Sequence, residues 1–214
     1  MKNMLYFAVF GEPSHALPKN SLPAYGGFGF SPGGELRMPY APPKGSAILF
    51  DDSIIPENAD LESVKAMLSA YDILTVFFDF EKTKSNLLCR LLCNVSLENI
   101  IVTPQYAGVC SSYVLVPAYR PCKPFESYLQ AVRQQFRFPM LDLSPIHCRL
   151  KNGIWQQESN SAPSRKNFSA KHRCMYDASG TELHFFDTKQ TILARAAASG
   201  LPCLLPLDEF EALE

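Results

Sequence analysis

The chain has 214 residues, of which 47% are hydrophobic and 19% are charged. This supply of apolar side chains is enough for one sizeable core and excludes a largely disordered chain. Twenty Lys and Arg residues stand against 21 Asp and Glu residues, so no excess of positive charge points to nucleic acid or to an anionic membrane surface. We therefore expect one α/β domain over residues 1–214, with neither nucleic acid nor a membrane as its partner.

Two features of the sequence, its first residues and its cysteines, predict where in the cell the protein is found. The first apolar run, residues 5–10, stops at Gly11 without the small-residue cleavage site of a signal peptide, so it predicts a strand. No apolar stretch reaches the roughly 18 residues of a membrane-spanning helix. The seven cysteines contain no CxxC pair, which favours reduced, structural thiols over disulfides or zinc ligands. These features predict a cytoplasmic protein.

The next segments alternate between short apolar strands and helices. Residues 13–45 are rich in Pro and Gly and predict a packed surface loop. After them the pattern predicts helices at 58–70, 85–95 and 124–135, which separate strands at 46–52, 73–81, 99–106, 112–121 and 138–145. Nearly continuous apolar strands of this kind are typical of a parallel sheet that is buried on both faces. Right-handed crossovers then leave a doubly wound sheet or a barrel.

The final third departs from this alternation. Asn152-Gly153 predicts the turn of one hairpin, and residues 178–180 predict the turn of a second. Together they predict a hairpin insertion over residues 146–186. The following segment predicts a helix with Asp187 as its N-cap and Gly200 as its end, and then one closing strand.

Two segments resemble the family 18 glycoside hydrolases, the chitinase-like barrels. The strand at 73–81 ends in Asp79-Phe80-Glu81, which resembles the last two acids of the D-x-x-D-x-D-x-E signature of that family. The stretch 174–210 is similar to the hairpin, helix and closing strand near the C-terminus of those proteins. The resemblance implies a small or incomplete (β/α) TIM-type barrel with a hairpin insertion before the last helix and strand.

Carried over residue by residue, the resemblance makes Glu81 the general acid and Asp79 the acid that supports the acetamido group of a sugar. Alternate residues of a strand face the same way, so both acids are expected at the carboxyl end of the barrel. Leu74 and Phe77 stand where the signature has its two earlier aspartates. The only tryptophan, Trp155, lies in a hairpin instead of the closing strand. The chain is thus identified as a remote or degenerate relative.

Polar residues follow the other predicted strands as well. The carboxyl ends of parallel strands are where sites assemble in α/β proteins. At another strand end, Tyr119 and Arg120 offer contacts to the hydroxyl or carboxylate of a ligand. We therefore expect a substrate-binding site that includes Asp52, Gln105, Tyr106, Tyr119 and Asp142.

Three functional hypotheses follow. The first is hydrolysis of a glycan, and the second is a non-catalytic barrel that binds a sugar, peptide or partner protein in the same cleft. The third is metal-assisted phosphodiester chemistry, with Mg²⁺ or Ca²⁺ held by Asp52, Asp79, Glu81 and Asp142. The first two require no cofactor and no metal, and a glycan or another small molecule is the expected ligand. The sequence does not predict an oligomeric state.

Overall fold

The computed structural model describes residues 4–11, 17–50, 55–79, 85–95, 97, 99–157 and 167–213. The first nine strands are β1 (Leu5–Val9), β2 (Ser21–Phe30), β3 (Leu36–Arg37), β4 (Ala47–Phe50), β5 (Thr75–Phe78), β6 (Asn99–Val102), β7 (Tyr113–Val116), β8 (Pro139–Asp142) and β9 (His147–Lys151). The remaining strands are β10 (Ile154–Gln157), β11 (Asn167–Ser169), β12 (Cys174–Ser179), β13 (Glu182–Phe186) and β14 (Cys203–Pro206). The helices are α1 (Leu61–Ala70), α2 (Asn86–Asn94), α3 (Phe125–Gln135), α4 (Lys189–Ser199) and α5 (Leu207–Glu211).

Eight parallel strands close into a barrel. Their order is β1, β2, β4, β5, β6, β7, β8 and β14, and β14 pairs with β1 to complete the ring. Helices or longer connections link successive strands, so the architecture is a TIM-type barrel, as predicted. Of the two expected forms, a small or an incomplete barrel, the closed ring of strand pairs excludes the incomplete one.

The barrel strands are buried on both sides. Their inward-facing side chains form a core inside the ring that contains no helix residue: Tyr6, Ala8, Ala24, Ala47, Leu49, Phe77, Ile101, Leu115, Met140 and Leu204. The alternate side chains pack outward against helices, as Phe7 does against Phe210 of α5 with ring centroids 5.2 Å apart. This two-sided burial is the reason for the nearly continuous apolar strands of the sequence.

The second barrel strand lies in the segment that was expected to be a loop. β2 occupies Ser21–Phe30 within residues 13–45, so the prediction of a loop throughout this range is wrong there. The register with β4 shifts between Tyr25 and Phe28. Gly27 has a φ of 88°, a value that glycine adopts without steric cost. The glycines that indicated a loop therefore belong to an irregular, bulged strand.

The hairpin insertion forms a second sheet. Five antiparallel strands run in the order β10, β9, β13, β12 and β11. Asn152 and Gly153 both have positive φ, of 50° and 77°, as expected for a type I′ hairpin turn. The chain enters this sheet from β8 and returns to the barrel through α4.

Local caps set the helix boundaries. Asp60 accepts a hydrogen bond from the backbone N–H of Ser63, so α1 starts at residue 61 and not at the predicted 58. The N-cap of α4 is Thr188, whose side chain accepts from Thr191 in a capping box. The prediction that Asp187 caps this helix is wrong, whereas Gly200 ends it in the left-handed conformation as predicted.

The turn between β2 and β3 is joined to the start of α1 through Gly34. The Gly34 carbonyl accepts a hydrogen bond of 2.8 Å from the Asp60 N–H. The φ of Gly34 is 91°, and a Cβ at this position would collide with the backbone carbonyl of Asn58. Because the Asn58 carbonyl belongs to the backbone, it cannot move away from the added Cβ as the end of a flexible side chain could.

We expect Gly34→Ala to lower the free energy of unfolding by about 2–3 kcal/mol, through backbone strain and the collision together. The matched control is Gly153→Ala, since Gly153 also has a positive φ but has nothing within 4 Å of an added Cβ. The control should cost only the strain, about 1 kcal/mol. Urea unfolding of both variants measures the difference, and equal losses would contradict the proposed collision.

Two further features concern the whole described chain. Its seven cysteines are all free thiols. No helix within the described ranges is both long and apolar enough to cross a membrane.

Candidate functional site at the barrel mouth

A pocket lies at the carboxyl end of the barrel strands. In β5, β6, β7 and β8, an interior residue is followed two positions later by a residue that faces the same way. These four residues all line the pocket: Asp79, Thr103, Pro117 and Asp142. The pocket is therefore the open end of the barrel interior, the position at which TIM barrels carry their active sites. We call it the mouth pocket.

The mouth pocket has a volume of about 460 Å³, which is within the usual range for small-molecule sites. Leu115 forms part of its apolar lining, and Gln105 supplies an amide at its edge. Among the described residues that line it, only Asp79 and Asp142 are charged. The pocket thus combines an apolar surface with two acids and one amide. Three of the residues predicted for the site, Asp79, Gln105 and Asp142, meet here.

Both acids are positioned by their own strand ends. The backbone N–H of Asp79 donates a hydrogen bond of 2.8 Å to the carbonyl of Phe50, so the pairing of β4 with β5 continues one residue past the strand. The Oδ1 atom of Asp142 accepts from the backbone N–H of Ser144 at 2.8 Å and from its hydroxyl at 2.7 Å. These bonds fix the orientation of the Asp142 carboxylate relative to the pocket.

Tyr106 does not line the mouth pocket, although the sequence predicted it there. Residues Pro104–Tyr106 form one turn of 3₁₀ helix, which leaves Gln105 at the pocket and turns Tyr106 into the core around α2. The Tyr106 side chain has no exposed surface, and its hydroxyl accepts a hydrogen bond of 2.8 Å from the Ser85 N–H. Burial raises the pKa of this phenol. Tyr106 therefore anchors the first residue before α2 to the β6–β7 connection.

Tyr119 does not line the mouth pocket, and its main role is to hold two connections of the chain together. Only 4% of the residue is exposed, and its hydroxyl donates a hydrogen bond of 2.6 Å to the carbonyl of Lys123. The same hydroxyl lies 2.9 Å from Nδ1 of His172, in the connection between β11 and β12. Burial raises the pKa of Tyr119, so the phenol stays protonated and holds the β7–α3 connection against the second sheet.

A second pocket, of about 480 Å³, lies between the β7–α3 connection and the second sheet. We call it the side pocket. It is lined by Arg120 on the barrel side and by His147, Trp155, Gln156 and Gln157 on the sheet side. Burial lowers the pKa of His147, partly opposed by the nearby Asp187 carboxylate. The sequence indicated the hairpin that carries Trp155, but which loop the hairpin faces depends on long-range packing.

Two of the predicted site residues, Asp52 and Glu81, lie outside the described residues. The metal hypothesis used both of them together with Asp79 and Asp142. Among the residues that the structure describes, no group of three or more His, Cys, Asp or Glu side chains is placed to hold a metal ion. The described part of the chain therefore gives the metal hypothesis no support.

The fold and the pocket define this chain as a TIM-type barrel with a polar pocket at the carboxyl ends of its strands. No protein-family model matches the sequence. No curated protein matches it either. Several solved structures do match it.

The chain is similar to a plant class V chitinase mutant from Cycas revoluta in complex with (GlcNAc)3, at 12% identity and a TM-score of 0.41, over 73% of this chain and 70% of that one. It is also similar to the chitinase-like agglutinin RobpsCRA from Robinia pseudoacacia, at 12% identity and a TM-score of 0.43, over 72% and 68% of the two chains. These proteins belong to the group of barrels that the sequence resembles.

Proposed function

We propose that the mouth pocket binds a glycan and that Asp79 and Glu81 hydrolyse it. The supporting observation is that Asp79 follows an inward-facing row of the barrel and lines the pocket together with Gln105 and Asp142. Carboxylates and amides that converge in a partly apolar pocket suit the hydroxyl and acetamido groups of a sugar. The free state of all seven thiols supports a reducing compartment such as the cytoplasm.

In the proposed reaction the two acids have separate roles. As the bond between the anomeric carbon and the glycosidic oxygen breaks, Glu81 protonates that oxygen, and the acetamido carbonyl oxygen of the same sugar bonds to the anomeric carbon. Water then displaces the acetamido oxygen and gives its proton to the Glu81 carboxylate, which restores the acid. Asp79 accepts a hydrogen bond from the acetamido N–H of the sugar and so orients that group beside the anomeric carbon. Gln105 and Asp142 hold hydroxyl groups of the bound sugar from the neighbouring strands. Of these four residues, Glu81 is the one outside the described ranges.

A second candidate function is binding without hydrolysis, and one observation favours it. Phe77, two residues before Asp79, is 1% exposed and packs inside the barrel with its ring edge-on to Tyr6, at a centroid distance of 5.2 Å. The signature that the sequence resembles has an aspartate at this position. The residue that precedes Asp79 on the same face of β5 is therefore apolar and supplies no carboxylate. A barrel that keeps the pocket and lacks this acid would retain a ligand without cleaving it.

Turnover and binding of N-acetylglucosamine tetrasaccharide test these two functions together. We expect the wild-type protein to cleave it, and Glu81→Gln to lower the turnover number by a factor of about 10²–10⁴ while binding is retained. Asp79→Asn should lower turnover as well, because the amide cannot accept the acetamido proton in the same way. Product release is followed by chromatography, and binding by calorimetry on the Glu81→Gln variant.

The matched control is Glu62→Gln, which removes an exposed carboxylate on α1 that does not line the mouth pocket. It should change neither turnover nor binding. Binding without product from the wild-type protein would favour the non-catalytic barrel, provided that Asp142→Asn weakens the binding. Absence of both binding and turnover would contradict a glycan function altogether.

A further inference from the structure

The mouth pocket and the side pocket adjoin one another. Ala118 lines both of them. Asp142 lines the mouth pocket, and Ser144, which is hydrogen-bonded to the Asp142 carboxylate, lines the side pocket. A ligand longer than one sugar therefore has a continuous path from the barrel mouth to the second sheet. We call the two pockets together the extended cleft.

The two ends of the extended cleft differ in charge. The mouth pocket carries the carboxylates of Asp79 and Asp142. The described lining of the side pocket contains no Asp or Glu residue and has the guanidinium of Arg120. His147 adds little positive charge at neutral pH, because burial lowers its pKa. The cleft is thus acidic at the mouth and basic at its outer end.

The side pocket also has surfaces that suit a sugar ring. Trp155 is 36% exposed, and its ring packs at 5.6 Å from the ring of Phe185. This contact fixes the indole and leaves part of its surface to the pocket, where it can cover the apolar face of a pyranose. Gln156 and Gln157, on the same edge strand, supply amides for hydroxyl groups.

Arg120 is available to a ligand in this setting. The residue is exposed, and within the described ranges no carboxylate lies at ion-pair distance from its guanidinium. Asp187, the one buried acid among the described residues, is already bound by both terminal nitrogens of Arg195. A planar guanidinium with several donors matches the geometry of a carboxylate through two parallel hydrogen bonds.

From these observations we propose that Arg120 binds a carboxylate group on the glycan, so that the extended cleft prefers an acidic oligosaccharide with its uronate unit in the side pocket. This inference deepens the proposed function and rests on it. The neutral part of the ligand occupies the mouth pocket, where its hydroxyl and acetamido groups meet the two acids. A carboxylate in the mouth pocket would be repelled by Asp79 and Asp142, so the charge difference also sets the direction in which the ligand binds.

The test compares two ligands on two proteins. The ligands are N-acetylglucosamine tetrasaccharide and the same tetrasaccharide with the primary hydroxyl of one terminal unit oxidised to a carboxylate. On the Glu81→Gln background, which slows turnover, we expect the oxidised ligand to bind about tenfold more tightly than the neutral one, a difference of about 1.4 kcal/mol. Adding Arg120→Gln should abolish this preference, because it lowers the affinity for the oxidised ligand more than the affinity for the neutral one. Raising the salt concentration should also reduce the preference.

The control is Arg137→Gln, which removes a positive charge at the opposite end of the barrel, where Arg137 lies 5.0 Å from the ring of Phe138. It should leave the preference intact, and thermal unfolding checks that each variant is folded. Equal affinity of the Glu81→Gln protein for both ligands would overturn the assignment of Arg120 but leave the proposed glycan function standing. An equal loss of affinity for both ligands in Arg120→Gln would also overturn it. Failure of both ligands to bind would instead contradict the proposed function.

Discussion

Asp187→Asn should lower the free energy of unfolding by about 3–5 kcal/mol, because it leaves the buried guanidinium of Arg195 without its counter-charge. The two side chains are 0% and 1% exposed, and they meet through two hydrogen bonds of 2.5 and 2.6 Å. Asp187 also accepts from the backbone N–H of Ile146 at 2.8 Å and from the hydroxyl of Thr191 at 2.8 Å. One carboxylate therefore joins the end of β13, the start of β9 and helix α4.

The control for this prediction is Glu62→Gln, which breaks the exposed ion pair with Lys65 at 2.7 Å. Exposed pairs of this type contribute about 0–1 kcal/mol, so this variant should be nearly as stable as the wild-type protein. Chemical unfolding followed by circular dichroism measures both variants. If Asp187→Asn lowers the free energy of unfolding by less than about 1 kcal/mol, the ion pair does not stabilise the connection between the second sheet and the barrel.

A second variant separates the cost of an unpaired charge from the loss of hydrogen bonds. Replacing both residues, as Asp187→Leu with Arg195→Met, removes the charges together. Buried ion pairs replaced in this way often lose little stability. We expect the double variant to be more stable than Asp187→Asn, but less stable than the wild-type protein, because the Ile146 N–H loses its acceptor.

The sequence allowed the barrel to be predicted where its strands are apolar and regular. β4 to β8 and the helices between them have lengths and periodicities that follow from burial on two faces. β2 could not be found in this way, because its Pro23 and its glycines have the composition of a loop. Its place in the barrel depends on pairing with β1 and β4, which are distant contacts and leave no local pattern.

The sequence allowed prediction of those residues of the candidate site that come directly after or at the end of a barrel strand. Asp79, Gln105 and Asp142 could be found because parallel strands bring their carboxyl ends to one face. The orientation of Tyr106 could not, since it depends on one turn of 3₁₀ helix after β6. Asp187 illustrates the same limit: Asp and Thr are both good N-cap residues, and only the packing of β13 places Asp187 in the core and Thr188 at the cap.

The second large effect is expected at Phe77, in the interior of the barrel. Phe77 lies two residues before Asp79, and its edge-on contact with Tyr6 at 5.2 Å belongs to the core inside the ring. Phe77→Ala removes most of this side chain from a site enclosed by eight strands that cannot collapse around the cavity. We therefore expect a loss of about 3–5 kcal/mol in the free energy of unfolding.

Phe168→Ala is the matched control, because Phe168 lies on β11 and is 55% exposed; its replacement should cost no more than about 0.5 kcal/mol. Urea unfolding gives the free energy of unfolding of both variants. Similar losses in the two would contradict the role of Phe77 in the core inside the ring. At a temperature where Phe77→Ala is folded, binding of the neutral tetrasaccharide should persist, since Asp79 is held by its backbone bond to Phe50. The aromatic residue at this signature position then serves the stability of the barrel, while Asp79 lines the mouth pocket.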